Sequence, residues 1–303
     1  MLNKIIVNML PYMPKKLIWI FSKRYIAGET IEDGLLASKL LNEQNIEVTI
    51  DLLGEFITTL EEAEINKKLY LQTINRFIGE NIKGNFSLKP TMFGLLIDKE
   101  SCYNSIREIV TLAAEKNSFI RIDMEDSQCV DLEIELFKRL HQEFPKHVGL
   151  VVQAYLRRTS NDLKDLSTLN SQEIPVNFRL CKGIYVEPEK FAFKNYEEVR
   201  KHFLEDLEYI IGENMYVGIA THDTFLVKQA MILIDKYKVP KSMYEFQMLF
   251  GVTPELRKSI IEKGHRMRVY VPFGKHWFNY SSRRLKENPK IAQHIIKALI
   301  IRG

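Results

Sequence analysis

The chain of 303 residues is poor in the features that mark specialised protein classes. Its three cysteines, Cys102, Cys129 and Cys181, are odd in number and widely spaced, with no C-x-x-C. That excludes a disulfide framework or a cysteine-rich zinc site and suits a reducing cytoplasm. No uninterrupted run of about 18 apolar residues occurs, so no transmembrane helix is expected. Neither sign of charge dominates: 43 basic residues stand against 39 acidic ones, a net charge of +4. This predicts a mild attraction to anions, well short of a nucleic-acid footprint, and no nucleic-acid partner is expected. No G-x-G-x-x-G follows the first strand-like run, and Walker A, G-x-S-x-G, H-x-H and H-E-x-x-H sequences are missing, which weighs against a dinucleotide fold, a P-loop, covalent hydrolysis and a catalytic metal. The N-terminal MLNKIIVNMLPYMPKKLIWIFSKRY is basic and apolar, but Pro11 and Pro14 break it and no small-residue cleavage site follows. A signal peptide is not expected, while such a segment can lie at a membrane surface.

What is present is a 46% hydrophobic composition that can bury a large core, as two domains or as one barrel. Residues 1–45 read as an N-terminal helical segment: Thr30 with Asp33 forms a capping-box variant, and Leu35, Leu36, Leu40 and Leu41 supply an apolar stripe. A rhythm then sets in over residues 46–303. Short apolar or β-branched runs occur at Val48 to Leu53, Phe86 to Leu88, Phe119 to Ile122, Val148 to Val152, Asn177 to Leu180, Tyr216 to Ala220, Met243 to Phe246 and Val269 to Val271. Between them lie segments with helical periodicity, such as Cys102, Ile106, Ile109, Val110 and Ala113, or Phe203, Leu207, Ile210 and Ile211 before the stop signal Gly212. Strands alternating with helices pair in parallel through right-handed crossovers, and eight such units in roughly 250 residues is the arithmetic of an α/β fold of the (βα)8 TIM-barrel type. A doubly wound sheet is the weaker alternative, because no composition break marks a second domain.

In such a barrel the site lies at the C-terminal ends of the strands. Those ends are polar: Asp51 to Glu55, Lys89, Asp123 with Glu125, Gln153 with Tyr155, Arg179 with Lys182, Thr221 to Asp223, Gln247 and Tyr270. Asp51 and Glu55 fit a helix cap equally well. In the last unit, Pro272 and Gly274 are read as ending the strand, and Ser281 or Ser282 as capping a helix that begins near Arg283. That helix start, with Arg283 and Arg284, has the donors of an anion site. Lys89, Gln153, Arg179, Lys182, Gln247, Arg283 and Arg284 form a cationic and amide-rich set that suits an anionic ligand or a phosphate-bearing cofactor.

ETIEDGLLASKLL, VTIDLLGE, FSLKPTMFGL, IRIDMEDS, VVQAYLRR, FRLCKGIYVEP, GIATHD, EFQMLFGV and RVYVPFGKHWFNYSSRRLKENP, in order from about residue 25 to 290, resemble the monofunctional bacterial proline dehydrogenases. The resemblance implies a distorted (βα)8 barrel with N-terminal helices, FAD, and oxidation of L-proline to Δ1-pyrroline-5-carboxylate by hydride transfer to flavin N5. It implies a membrane quinone as electron acceptor and a cytoplasmic protein, with peripheral contact at the inner face of the cell membrane left open. It places Arg283 and Arg284 as clamp for the proline carboxylate, Lys89 as a third cation, Tyr270, Leu249 and Tyr185 around the ring, and Asp123 as charge balance. On the flavin it places Arg179 near N5, Gln153 at the pyrimidine edge, and Lys182 and Gly183 at the ribityl and phosphate portion. Thr221, His222 and Gln247 fall at the diphosphate and adenosine end, and Glu287 pairs with the arginines or a ribityl hydroxyl.

Cys181 and Ile184 depart from the R-L-V-K-G-A-Y usual in the family, and Ile184 adds bulk beside the pocket. Two other readings fit the rim. A flavin barrel of the folate-reductase kind would be bleached better by a reduced nicotinamide than by proline. A non-catalytic barrel would bind an anionic metabolite or a membrane surface without turnover.

Overall fold

The computed structural model describes residues 18, 19, 22–278, 280 and 281. The basic N-terminal segment before Ile18, the residues Arg283, Arg284 and Glu287, and the C-terminal IAQHIIKALIIRG lie outside the described residues.

Eight strands close into one barrel in sequence order, every neighbouring pair parallel. They are β1 (Glu47–Leu52), β2 (Gly84–Leu88), β3 (Ile120–Ile122), β4 (Val148–Gln153), β5 (Asn177–Cys181), β6 (Tyr216–Ala220), β7 (Tyr244–Leu249) and β8 (Met267–Phe273). Helices alternate with them: α1 (Ile31–Asn42) precedes β1, and α2 (Leu60–Gly79), α3 (Lys99–Glu115), α4 (Val130–Glu143), α5 (Thr159–Leu166), α6 (Tyr196–Gly212), α7 (Thr224–Lys236) and α8 (Pro254–Glu262) follow β1 to β7. Each of the eight apolar runs read from the sequence falls on one of these strands.

The capping box is present: Asp33 N–H donates to Thr30 Oγ1 at 3.1 Å, and Thr30 N–H to Asp33 Oδ2 at 3.0 Å. The leucine stripe divides, however. Leu35 and Leu41 are buried, whereas Leu36 and Leu40 are 61% and 50% exposed. The buried face of α1 runs through Gly34, Ala37, Ser38 and Leu41, and a period of 3.6 puts positions 36 and 40 on the opposite side. Two local expectations also change. The strand β8 continues through Pro272 to Phe273, and residues 277, 278, 280 and 281 are already helical, so Ser281 lies within a helical run and does not cap its start.

The two faces of the sheet differ in chemistry. Val48, Ile50, Phe86, Ile120, Ile122, Phe178 and Val269 point outward and are buried under the helices. The Phe77 ring of α2 packs 6.2 Å from Phe86 and 5.9 Å from Phe273, and Phe137 of α4 packs 6.5 Å from Phe178. Each such side chain contributes about 1.5–3 kcal/mol of burial. The apolar core is thus an annulus between sheet and helices. The alternate strand residues point inward and are mostly polar, among them Thr49, Asp51, Ser87, Arg121, Asp123, Arg179, Glu245, Gln247 and Arg268, all buried. Barrels of this architecture ordinarily fill their lumen with branched apolar side chains. Here large polar groups fill it, and glycines make room for them: a Cβ at Gly149 would overlap Arg121 Nη1, and one at Gly218 would overlap Gln247 Nε2.

Candidate active site

The C-terminal half of the lumen holds one connected network of buried charges. Lys89, just beyond β2, places Nζ 3.2 Å from Asp51 Oδ1, 3.4 Å from Asp123 Oδ2 and 3.4 Å from the Tyr270 hydroxyl. Asp123, just beyond β3, accepts from Tyr270 OH at 2.7 Å, from Arg179 Nη1 at 2.8 Å and from the Ser87 hydroxyl. Arg179 of β5 also donates through Nε to Gln247 Oε1 at 2.7 Å, and its guanidinium lies 5.1 Å from the centre of the Tyr270 ring. Two carboxyl groups thus face two cations, all four side chains buried.

Electrostatics fixes the protonation states. Burial alone would push the Asp123 carboxyl up, but Lys89 and Arg179, with hydrogen bonds from Ser87 and Tyr270, outweigh it and hold Asp123 below the usual carboxylate range. Burial opposes the charge on Lys89, yet Asp51, Tyr270 and Asp123 raise its pKa well above the ordinary lysine value. The Tyr270 phenol is raised well above its ordinary range, by burial first and Asp123 second, so it remains a hydroxyl donor. Asp51 is raised by burial despite Lys89, and its Oδ2 has no partner among the described residues.

Around this centre lie the other residues singled out in the sequence. Gln153, at the end of β4, is buried and donates through Nε2 to the Glu125 carbonyl at 2.7 Å. Leu249 ends β7, where its N–H donates to His222 Nε2 at 2.9 Å, so that nitrogen is the acceptor of the ring. Tyr185 is half-buried in the loop after β5 and its charge would be felt at Lys89. On the rim, Lys182 lies 3.3 Å from Asp223 Oδ2, and the Thr221 hydroxyl accepts from Asp223 N–H at 3.1 Å. Gln247 is placed apart from Thr221 and His222: it sits inside the lumen, with Nε2 donating to Glu245 Oε1 at 2.6 Å, and links Arg179 to the layer below. Gly183 adopts φ +105°, and the space its Cβ would take is filled by the Tyr155 ring.

The sequence left three participants unassigned. Asp51 belongs to the charged centre and is not a helix cap, since α2 begins at Leu60 with Thr59 as its N-cap. Its signal was parity: Thr49 and Asp51 alternate with the outward Val48 and Ile50. Arg200 of α6 grips Asp223 in a bidentate pair, both bonds 2.9 Å, and stacks 4.4 Å from the Tyr196 ring beside Lys182. Burial of Asp223 is outweighed by Arg200, Tyr196 and Lys182, which hold its carboxyl far below the usual range. No local pattern announces Arg200, because it lies on the helix before β6, 23 residues from the Asp223 it grips, and nothing in a helix's own periodicity names its partner.

The third is a buried pair of acids behind β3. Glu125 accepts from Thr91 N–H at 2.9 Å and from Thr91 Oγ1 at 2.6 Å, while Glu133 Oε1 accepts from Glu125 N–H at 3.0 Å and its Oε2 has no partner among the described residues. Burial pushes Glu125 up to about 7 and Glu133 well above its ordinary value, each also raised by the other or a neighbouring acid. A carboxyl raised in the folded state adds stability that is whole below about pH 4.3, its ordinary range, and is lost as pH rises through the folded value. Stability should therefore fall between pH 5 and 8, and Glu133→Gln should flatten that fall, as read from urea midpoints at pH 5, 6.5 and 8. Parallel curves for the two proteins would show that Glu133 does not titrate in this window.

A family model described as proline dehydrogenase matches residues 36–296. The chain belongs to the proline dehydrogenase family. It is 33% identical over 279 residues to proline dehydrogenase 1 of Bacillus subtilis subsp. natto, covering 92% of this chain and 90% of that one. Against the proline dehydrogenase of Deinococcus radiodurans the identity is 31% over 292 residues, covering 95% and 93%. Among solved structures, proline utilization A from Bdellovibrio bacteriovorus inactivated by N-propargylglycine superposes with a TM-score of 0.83 at 26% identity, over 88% of this chain. This chain spans 32% of the length of that protein. The closed parallel barrel is that of a proline dehydrogenase domain, and the family is one of flavin-dependent oxidoreductases. Among the described residues, no helix is long and apolar enough to cross a membrane.

Proposed function

We propose that the protein is an FAD-dependent proline dehydrogenase that oxidises L-proline to Δ1-pyrroline-5-carboxylate and passes the electrons to a membrane quinone. The observation that carries this reading is the closed charge network of Lys89, Asp123, Arg179 and Tyr270 at the C-terminal end of the lumen, in a chain of this family.

The donor set fits a flavin. Arg179 Nη2 is a buried donor with no acceptor among the described residues, on a guanidinium whose other nitrogens are engaged. An orphaned buried donor costs about 1–3 kcal/mol unless a ligand accepts from it, and the electron-rich edge of an isoalloxazine is such an acceptor. Gln153 would meet its pyrimidine edge, Lys182 and Gly183, with Arg200, would hold the ribityl and phosphate portion, and Thr221 and His222 would face the diphosphate and adenosine end. Bound there, FAD supplies the two-electron acceptor for a hydride from the substrate carbon.

The chain's own groups do the rest. Lys89 keeps its proton and offers a fixed positive charge to a carboxylate. Asp123 stays ionised with its oxygens occupied by donors, so it orients Lys89, Arg179 and Tyr270 and removes no proton. The substrate amine therefore reacts as the neutral base, its lone pair driving formation of the iminium, and orientation supplies most of the acceleration. Tyr270 and Leu249 offer apolar surface to the ring, with Tyr185 on the β5 side.

An anaerobic titration tests the reading: the visible flavin band should bleach on adding L-proline. Folded protein that takes up no FAD, or a flavin bleached by reduced nicotinamide and not by proline, would overturn it. Arg283→Lys should raise the KM for proline roughly 10- to 100-fold, the worth of one charge-assisted fork, with flavin content unchanged. Equal loss of flavin would assign Arg283 to the cofactor.

A further inference from the structure

The N-terminal half of the lumen carries a second cluster of charged groups, joined to the Lys89 centre through the Glu245–Gln247–Arg179 hydrogen bonds. It opens into a cavity of about 350 Å³ whose lining includes Arg121, Lys146, His147, Glu245, Arg266 and Arg268. Arg268 is fully matched: Nε lies 2.6 Å from Glu245 Oε1 and Nη2 3.0 Å from Oε2, with Glu47 and the Val48 carbonyl beside them. Arg266 shares the same two acids, 3.2 Å from Glu47 and 3.6 Å from Glu245.

Arg121 is the exception. It is 1% exposed, and among the described residues no carboxylate pairs with it. Its guanidinium donates to the Leu150 carbonyl at 3.2 Å, to the Asn177 carbonyl at 2.7 Å and to the Asn177 side chain, lies 5.0 Å from the centre of the Phe119 ring, and leaves Nε without an acceptor among the described residues. Burial, aggravated by Arg179, pulls its pKa down to about 9, and Tyr216 and Glu245, neither of which pairs with it, only partly offset this. Lys146 is exposed at the cavity and makes no ion pair among the described residues. Four cations thus face two acids, Glu245 and Glu47, and two positive charges are left unmatched at one mouth. An uncompensated buried charge is costly, and a guanidinium is the side chain best shaped to take an oxyanion.

We propose that the N-terminal mouth of the barrel is a binding site for a small multivalent oxyanion, a phosphate or a polycarboxylate, held by Arg121, Lys146 and Arg266 as the missing counter-charge. The site lies at the opposite end of the lumen from the Lys89 centre, and the anion acts on stability without entering the reaction.

The test is the thermal midpoint of the flavin-loaded protein against phosphate and, separately, citrate, with chloride holding the ionic strength constant. At about ten times Kd the midpoint should rise by roughly 3 °C. The anion giving the larger rise at equal concentration identifies the source as phosphate or as polycarboxylate. Lys146→Glu, on the exposed rim, should weaken the response at least fivefold while leaving proline-driven bleaching unchanged. Arg121→Met should abolish the response and leave the midpoint in chloride unchanged or higher. The proposal is overturned if neither anion raises the midpoint, if Lys146→Glu responds like the parent, or if the anion competes with proline and so sits at the other end. If Arg121→Met does not fold, the Lys146→Glu response decides the matter alone.

Discussion

Asp123→Asn is expected to lower kcat for proline by about 10²- to 10³-fold and to cost roughly 3–5 kcal/mol of stability. The reason is the number of groups that depend on one carboxylate. Lys89, Arg179, Tyr270 and Ser87 all direct a donor at Asp123. An asparagine offers one oxygen and turns an NH₂ group toward them, so among the described residues Lys89 keeps Asp51 alone as an acid partner and Arg179 keeps none. The stability part has a definite pH signature. Because the folded pKa of Asp123 is depressed, its contribution is present above the ordinary carboxylate range and is lost as pH falls through the folded value. The gap between parent and variant in urea midpoint should therefore be full at pH 7 and narrow as the pH drops below about 4. A variant that keeps kcat within threefold would show that the charge network is scaffolding and that the reacting centre lies elsewhere.

The second large effect belongs to the layer beneath. Glu245→Ala should destabilise by about 3–5 kcal/mol, because it strips the buried Arg268 of its bidentate partner and leaves it with the half-exposed Glu47. Burial opposes ionisation of Glu245, and Arg268 and Arg266 more than reverse it, so this acid too is held below its ordinary range. Replacing both partners, Glu245→Leu with Arg268→Met, should recover most of that loss, since removing a buried pair together leaves no orphaned charge. The double variant should still be slower on proline, because Gln247 Nε2 loses its acceptor and Gln247 is the hydrogen-bond partner of Arg179. If the double variant is no more stable than the single one, the ion pair is not what holds this layer.

Much of the fold was legible because a parallel barrel strand is short, β-branched and bounded by polar residues, and eight such runs were countable. The capping box at Thr30 was legible because its two hydrogen bonds span only three residues. Lys89, Asp123, Arg179 and Gln153 could be located by strand ends alone. Legibility failed where one residue type serves two environments. An aspartate near a strand end caps a helix or faces the lumen, and only the alternation through Thr49 favoured the lumen for Asp51. Four leucines in α1 looked like one stripe, yet the face that meets Phe273 is set by Gly34, whose missing side chain lets the ring approach. Gln247 was grouped with Thr221 and His222 at a strand end, and the structure puts its side chain in the lumen between Arg179 and Glu245.

By itself, the sequence determined the eight-unit barrel, the family and the strand-end residues, because these follow from local periodicity and short motifs. Only the tertiary structure decided which polar residues share the lumen. Closing the sheet brings strands far apart in sequence to within hydrogen-bond range, and in that low-dielectric interior each charge takes its state from its partners. Asp123 is ionised because Lys89 and Arg179 converge on it, and Arg121 is left unmatched because no acid among the described residues pairs with it.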